Sequence, residues 1–271
     1  MALTDQHVHL YPDELNCDPA AWAAAAGEPH WARLCTRTRR DASPVQEFPN
    51  LATLLRDLDT AGIARAVLLG WYWEHPAACT AQNRFYAECV RLHPDRLSAY
   101  ATFHPAAAPS AVESELHRAR DEGLSGLGEL SPQSVGAALD SPAMQAALAL
   151  ATAWRWPVNL HVTDPRGRPY PGKIETPFAD LERLVNAYPQ IHFVFAHWAG
   201  GFDVRHLPNV SVDTAAAPLL YGESAWAMRG TTVRADQVLF GSDYPLRLQP
   251  GQSAAAGLAA FANEACAHGL S

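Results

Sequence analysis

The chain lacks the features that mark export or membrane insertion. Its N-terminus has no basic stretch followed by an apolar run, and no apolar segment approaches the roughly 20 residues of a membrane span. Neither a secretory leader nor a transmembrane helix is expected. Basic charge is also scarce: 20 Lys and Arg against 28 Asp and Glu give a formal net charge of −8. Nucleic acids and anionic membranes are polyanions that require clustered cations, so neither is an expected partner. The one basic cluster, Arg33 to Arg40, holds four arginines in a loop-like stretch. It reads as a solvated face or as a feature of a substrate loop. The five cysteines, Cys17, Cys35, Cys79, Cys89 and Cys266, are odd in number, scattered, and form no Cys-x-x-Cys pair. This excludes a disulfide framework and points to reduced thiols in a cytoplasmic protein. There is no Gly/Ser tract to act as an interdomain linker.

What is present is a rhythm. Short apolar runs alternate with segments of helical periodicity, the pattern of repeated βα units around a parallel sheet. The expected strands are Leu3 to Leu10, Ala64 to Gly70, Leu97 to Phe103, Leu124 to Leu130, Pro157 to Val162, His192 to His197, Val210 to Asp213 and Gln237 to Gly241. Helices are expected around Leu51 to Leu58, Thr80 to Leu92, Ser110 to Glu122, Ser141 to Trp154, Leu181 to Val185, Leu219 to Arg229 and Ser253 to His268, with Asn50 as an N-cap and Gly62 as a stop. The sixth unit is the weakest, because Gly200 to Pro208 leaves room for only a short helix. Eight units in 271 residues fit a single (β/α)8 TIM-type barrel. Tyr11 to Pro49 breaks the rhythm and reads as an insertion after strand one near the mouth.

Metal-capable side chains recur at the ends of these strands. His7 and His9 are two apart on the first strand and so share a face. Glu129, His161 and His197 end strands four, five and six, and Asp243 follows strand eight. In barrel enzymes that end of the strands builds the active site. A buried carboxylate there needs a compensating cation or donor. Imidazole and carboxylate ligands suit a divalent metal, zinc first, with manganese, iron or nickel as alternatives.

Taken in order, Asp5-Gln6-His7-Val8-His9, His161, Ala196-His197-Trp198-Ala-Gly-Gly201 and Gly241-Ser-Asp243-Tyr-Pro245 resemble the motifs of the amidohydrolase superfamily, in particular its amidohydrolase-2 branch. The resemblance implies a metal-dependent enzyme with His7, His9, His161 and Asp243 holding one ion and His197 beside it as an acid/base or transition-state stabiliser. Glu129 resembles the strand-four glutamate of TatD-like hydrolases. In a binuclear version it would bridge, with His7, His9 and Asp243 on one ion and His161 and His197 on the other; one ion is the preferred expectation. A branch of lactone hydrolases acting on dicarboxylated pyrones works without a metal, so the motifs alone do not require one.

The implied reaction is hydrolysis of a small lactone, amide or ester, with Asp243 as general base and then acid and His197 stabilising the oxyanion. The alternatives are a non-oxidative decarboxylase of an aromatic or enoic acid and a barrel retained only for binding. Related decarboxylases commonly carry a Gly-Glu pair after the strand-six histidine, where this chain has Trp198-Ala-Gly-Gly201. Residues beyond other strand ends, Trp71, Tyr72, Trp73, His104, Asp164 and Arg166, are candidate contacts for a small-molecule substrate. His30, His75, His93, His117, His192, His206 and His268 fall outside the pattern and are expected to be structural or exposed. A homodimer is the default oligomeric expectation.

Overall fold

Each expected apolar run yields a parallel strand in the computed structural model, which describes residues 3–270. These are β1 (Leu3–Val8), β2 (Ile63–Leu68), β3 (Leu97–Ala99), β4 (Leu127–Leu130), β5 (Val158–Leu160), β6 (Phe193–Phe195), β7 (Val210–Asp213) and β8 (Val238–Leu239). Strands β4 to β7 are buried at every position, which is why they read as continuous apolar runs instead of alternating ones.

The strands pair in chain order as β1-β2-β3 and β4-β5-β6-β7-β8. Two sparse seams join these sheets into a ring. Between β3 and β4, Ala101 donates to Gly126 O at 2.8 Å and accepts from Gly128 N at 3.0 Å. Between β8 and β1, Gln6 N donates to Phe240 O at 2.8 Å, Asp243 N to His7 O at 2.9 Å and His9 N to Tyr244 O at 2.7 Å. The fold is an α/β barrel of the TIM type, and the second seam carries three of the candidate ligands.

Helices cover the barrel much as the periodicity predicts: α4 (Leu51–Thr60), α5 (Pro76–Leu92), α6 (Pro109–Asp121) and α7 (Pro142–Trp154), after three shorter ones described below. Asn50 caps α4 by accepting from Thr53 N at 3.0 Å, and Gly62 follows its C-terminus at φ +69°. α8 (Phe178–Ala187), α9 (Ala217–Leu220) and α10 (Ala254–Ala267) complete the set.

Two expectations need correction. The helix over Leu219 to Arg229 stops at Leu220 and continues as a 3₁₀ segment from Gly222 to Met228. After β6 there is no helix over Gly200 to Pro208. Instead, His197 to Gly201 form a short turn with positive φ at all five residues, from 52° to 78°. The turn fits closely, since a Cβ on Gly200 would lie 3.0 Å from backbone atoms of Thr163 and Asp164.

The stretch over Tyr11 to Pro49, expected as a loop insertion, folds in its first part into three short helices, α1 (Asp13–Cys17), α2 (Pro19–Ala26) and α3 (Pro29–Cys35), and runs on irregularly to Pro49. They build a second apolar cluster of Tyr11, Leu15, Ala23, Trp31 and Cys35 against Trp71, Tyr72 and Trp73 from the end of β2. Trp31 is fully buried, with ring centres of Tyr11, Trp22 and Trp73 between 5.3 and 5.8 Å away. Such aromatic pairs add to the area they bury, so the insertion is fixed over the β1–β2 side of the mouth. No helix among the described residues is long and apolar enough to cross a membrane, and the five cysteines are free.

Candidate metal centre

The β strands bring their C-terminal polar residues to one buried point. His7 and Glu129 are 0% and 1% exposed, His9 3%, His197 6% and Asp243 8%. Around Glu129 the donor atoms divide into two sets. His7 Nε2 and His9 Nε2 are 3.2 Å apart; Glu129 Oε2 lies 3.8 and 3.7 Å from them, and Asp243 Oδ1 3.7 and 3.6 Å. On the other side, Glu129 Oε1 is 2.8 Å from His161 Nδ1 and 3.4 Å from His197 Nε2, and those nitrogens are 3.2 Å apart. Donors each about 2.0–2.1 Å from a tetrahedral ion stand about 3.3 Å apart, close to the spacing in both sets. The residues therefore fit divalent metal, and they fit it at two places.

The hydrogen bonds behind the candidate ligands support the same orientation. His7 Nδ1 donates to Asp213 Oδ2 at 2.9 Å, His9 Nδ1 to Leu69 O at 3.0 Å and His197 Nδ1 to Ala215 O at 3.1 Å. Each bond turns the Nε2 lone pair inward, as ligating imidazoles require. His161 is reversed: its Nδ1 faces Glu129 while Nε2 meets Thr163 Oγ1 at 3.1 Å.

Electrostatics draw positive charge to this point. Burial opposes charge on His7, but Asp213 and then Glu129 outweigh it and push its pKa up to about 10. Burial would raise Glu129, but His161 and His7 hold it well below the usual carboxylate range. Burial lowers His9, with His7 adding to the effect. This carboxylate cluster requires a counter-charge, met by a proton on His7 or by a cation among the donors.

Sequence reasoning missed Asp213. It ends β7 fully buried, and besides His7 it takes hydrogen bonds from His197 N at 3.0 Å, Ala215 N at 3.1 Å and Asn159 Nδ2 at 3.1 Å. Its signal is the one that marked Glu129, an acid closing an apolar run. Asp213→Asn leaves fewer acceptors for these donors and loosens His7. Affinity for a divalent ion is then expected to fall about 10–100-fold in a chelator competition titration; wild-type affinity would rule out the orienting role.

Above the donors lies a cavity of about 530 Å³. Trp71 and Tyr72 line it as a stacked pair, with centroids 4.4 Å apart. Asp164 also lines it, whereas His104 and Arg166, expected as substrate contacts, do not. His104 instead accepts from Ala106 N at 3.3 Å in its own loop, and Arg166 lies exposed against Asp164. Trp73 packs into the insertion cluster. Conversely, His30, expected to be structural, lines the cavity: its Nε2 donates to Gly172 O at 2.9 Å, tying α3 to the loop after β5.

The profile of the Amidohydrolase family matches residues 4–267. Among solved structures, 5-carboxyvanillate decarboxylase from Sphingomonas paucimobilis superposes with a TM-score of 0.64 at 16% identity, covering 99% of this chain and 98% of that one. The probable 2-pyrone-4,6-dicarboxylic acid hydrolase from Acinetobacter baumannii, solved with citric acid bound, gives 0.58 at 15% identity over 97% and 92%. The 5-carboxyvanillate decarboxylase from Novosphingobium aromaticivorans, complexed with manganese and 4-hydroxy-3-methoxy-5-nitrobenzoic acid, gives 0.62 at 15% identity over 97% and 90%. None of the curated protein sequences matches. At these identities the structures speak for the fold alone, but the profile spans nearly the whole chain, and the protein belongs to the Amidohydrolase family.

Proposed function

We propose that this protein is a metal-dependent hydrolase of a small lactone, amide or ester, in which the two donor sets that meet at Glu129 would each hold a divalent ion. The observation that carries this reading is the pair of donor sets on the two oxygens of Glu129, with Asp243 Oδ1 facing the first. It differs from the single ion on His7, His9, His161 and Asp243, because His161 stands with His197 on the Glu129 Oε1 side. When bound, such ions supply a hydroxide near neutral pH and polarise a carbonyl. Zinc is the first candidate, with manganese, iron and nickel as alternatives.

The chain's own residues then have distinct tasks. Asp243 Oδ1 stands 3.7 and 3.6 Å from His7 and His9 Nε2 and the residue lines the cavity, so its carboxylate can take a proton from an attacking water and pass it to the leaving group. His197 is locked by Ala215 O with Nε2 turned to Glu129 and His161, so in this reading it would serve as a ligand in the second set and not as the oxyanion donor. Trp71 and Tyr72 close one wall and exclude water there.

The fold is shared with decarboxylases, so the alternative reading is loss of carbon dioxide from an aromatic acid. Hydrolysis is favoured by Trp198-Ala-Gly-Gly201, which supplies no acid beside His197. The discriminating assay runs a lactone, ester and amide panel alongside aromatic acids. Ring opening or amine release is expected; carbon dioxide without a hydrolytic product would replace the hydrolase reading by the decarboxylase one.

Stripping metal with a chelator should also cost stability. An ion at about 100 times its dissociation constant stabilises by about 2.7 kcal/mol, which in a chain of this size moves Tm by about 5–10 °C. The drop should reverse on adding zinc or manganese; an unchanged melting curve would show that the donors hold no ion.

A further inference from the structure

The candidate ligands and the candidate base are held in different ways. His7, His9 and His197 each have one ring nitrogen bonded to Asp213, Leu69 O or Ala215 O, which fixes the ring from behind. The Asp243 carboxylate has no hydrogen bond among the described residues; the imidazole nitrogens of His7, His9 and His197 stand 3.6–3.8 Å from it. Its aim is therefore set by the backbone that carries it, which sits in the left-handed region at φ +64°.

Asp5 holds that backbone. It is fully buried on β1 and accepts three hydrogen bonds: Oδ1 from His7 N at 3.1 Å and Ser242 N at 2.9 Å, and Oδ2 from Ser242 Oγ at 2.5 Å. Ser242 Oγ, also buried, accepts in turn from Tyr244 N at 3.0 Å, so the residues on both sides of Asp243 are tied to one carboxylate. Asp243 N itself donates to His7 O at 2.9 Å. From β7, Thr214 Oγ1 accepts from Gly241 N at 3.0 Å and donates to Gly241 O at 2.9 Å. The turn has no slack beneath it, since a Cβ on Gly241 would lie 2.8 Å from the His7 Cβ and 3.1 Å from that of Asp213. Asp5 does not line the cavity, so no substrate contact accounts for a carboxylate in the interior. Burying one is costly unless donors meet it, and here every donor comes from the two segments that carry His7 and Asp243.

We propose that Asp5 is a positioning residue: acting through Ser242, it aims the Asp243 carboxylate into the space between His7, His9 and the cavity. The geometric part stands alone; that turnover depends on this aim rests on the hydrolase reading. A reacting group misplaced by about 1 Å can cost about 10²-fold in rate. Ser242→Ala removes the hydroxyl that links Asp5 to Tyr244 N. Asp5→Asn keeps an oxygen for the two amide donors but turns an N–H toward the Ser242 hydroxyl.

The test begins with crystal structures of the full chain stripped of metal, so that no ion can hold Asp243. In Ser242→Ala and Asp5→Asn the Asp243 carboxylate is expected to move by about 1 Å or more from its wild-type place. In metal-loaded protein, assayed on a lactone and ester panel, kcat should fall about 30-fold for Ser242→Ala and about tenfold for Asp5→Asn. KM should stay within about threefold and metal content should not change. The double variant should lose no more than about twofold beyond Ser242→Ala, because both changes break one link. Tyr244→Phe is the control: it removes the 2.7 Å bond from the same turn to Asp57 on α4, and should lower the melting temperature while kcat stays within about twofold. If either single variant does not fold, the other carries the test. An unmoved Asp243 carboxylate, an unchanged kcat, a loss of metal that accounts for the lost turnover, or an equal loss in Tyr244→Phe would each overturn the positioning role. If the wild type hydrolyses nothing in the panel, yet Asp243 moves in the variants, the hydrolase reading fails and the positioning role stands.

Discussion

Replacing Asp243 by Asn is expected to lower kcat by about 10²–10⁴-fold while the protein folds and melts like the wild type. Asn has nearly the same shape and keeps an oxygen where Oδ1 lies, 3.6–3.7 Å from His9 and His7, so coordination is disturbed little. What is lost is the ability to accept a proton. Asp243 sits at φ +64°, in the left-handed region that Asn tolerates better than most residues, so the backbone gives no reason for collapse. Near-normal turnover of a lactone or ester by this variant would remove Asp243 from the proton-transfer role. A full loss of bound metal would instead make it chiefly a ligand.

Replacing Glu129 by Gln should have the second large effect, read first in metal content. Each carboxylate oxygen of Glu129 faces its own donor set, Oε2 toward His7 and His9 and Oε1 toward His161 and His197. An amide offers one acceptor and one N–H, so it can serve one set and must oppose the other. Elemental analysis is expected to find about two ions per wild-type chain and one or fewer in the variant, with activity down by at least about 10²-fold. Two ions retained would mean that Glu129 does not bridge. One ion in the wild type would restore the single-site reading.

Much of this was legible in the sequence because its signals were local. Strands buried on both faces appear as unbroken apolar runs, and Phe193-Val-Phe-Ala-His197 shows a strand and its terminal candidate ligand together. His7 and His9 share a face through the two-residue period of a strand. What the sequence does not carry is pairing over distance. Asp213 looked like the end of a strand because its role is set by His7, 206 positions away. The split of the histidines between the two Glu129 oxygens depends on where β4, β5 and β6 place their ends around the ring. Tyr11 to Pro49 lacked the long periodicity of a barrel helix, because its three helices are short and bury themselves against Trp71 and Trp73 instead of the barrel wall. His104 and His30 exchanged expectations for the same reason: one stays in its own loop, and the other is carried over the mouth by α3.

The turn from His197 to Gly201 bears on how this barrel can change over generations. Three of its five residues carry side chains in a backbone hand that L-amino acids resist by roughly 1–2 kcal/mol each. Such a segment persists only where its surroundings over-determine it, here through Asp213 receiving His197 N and the close approach of Gly200 to Thr163 and Asp164. Drift at these positions is therefore channelled toward glycine, asparagine and aspartate, and β-branched residues are shut out. New specificities have little freedom beside His197 and more on the insertion, whose side chains can be exchanged without reversing the hand of the backbone.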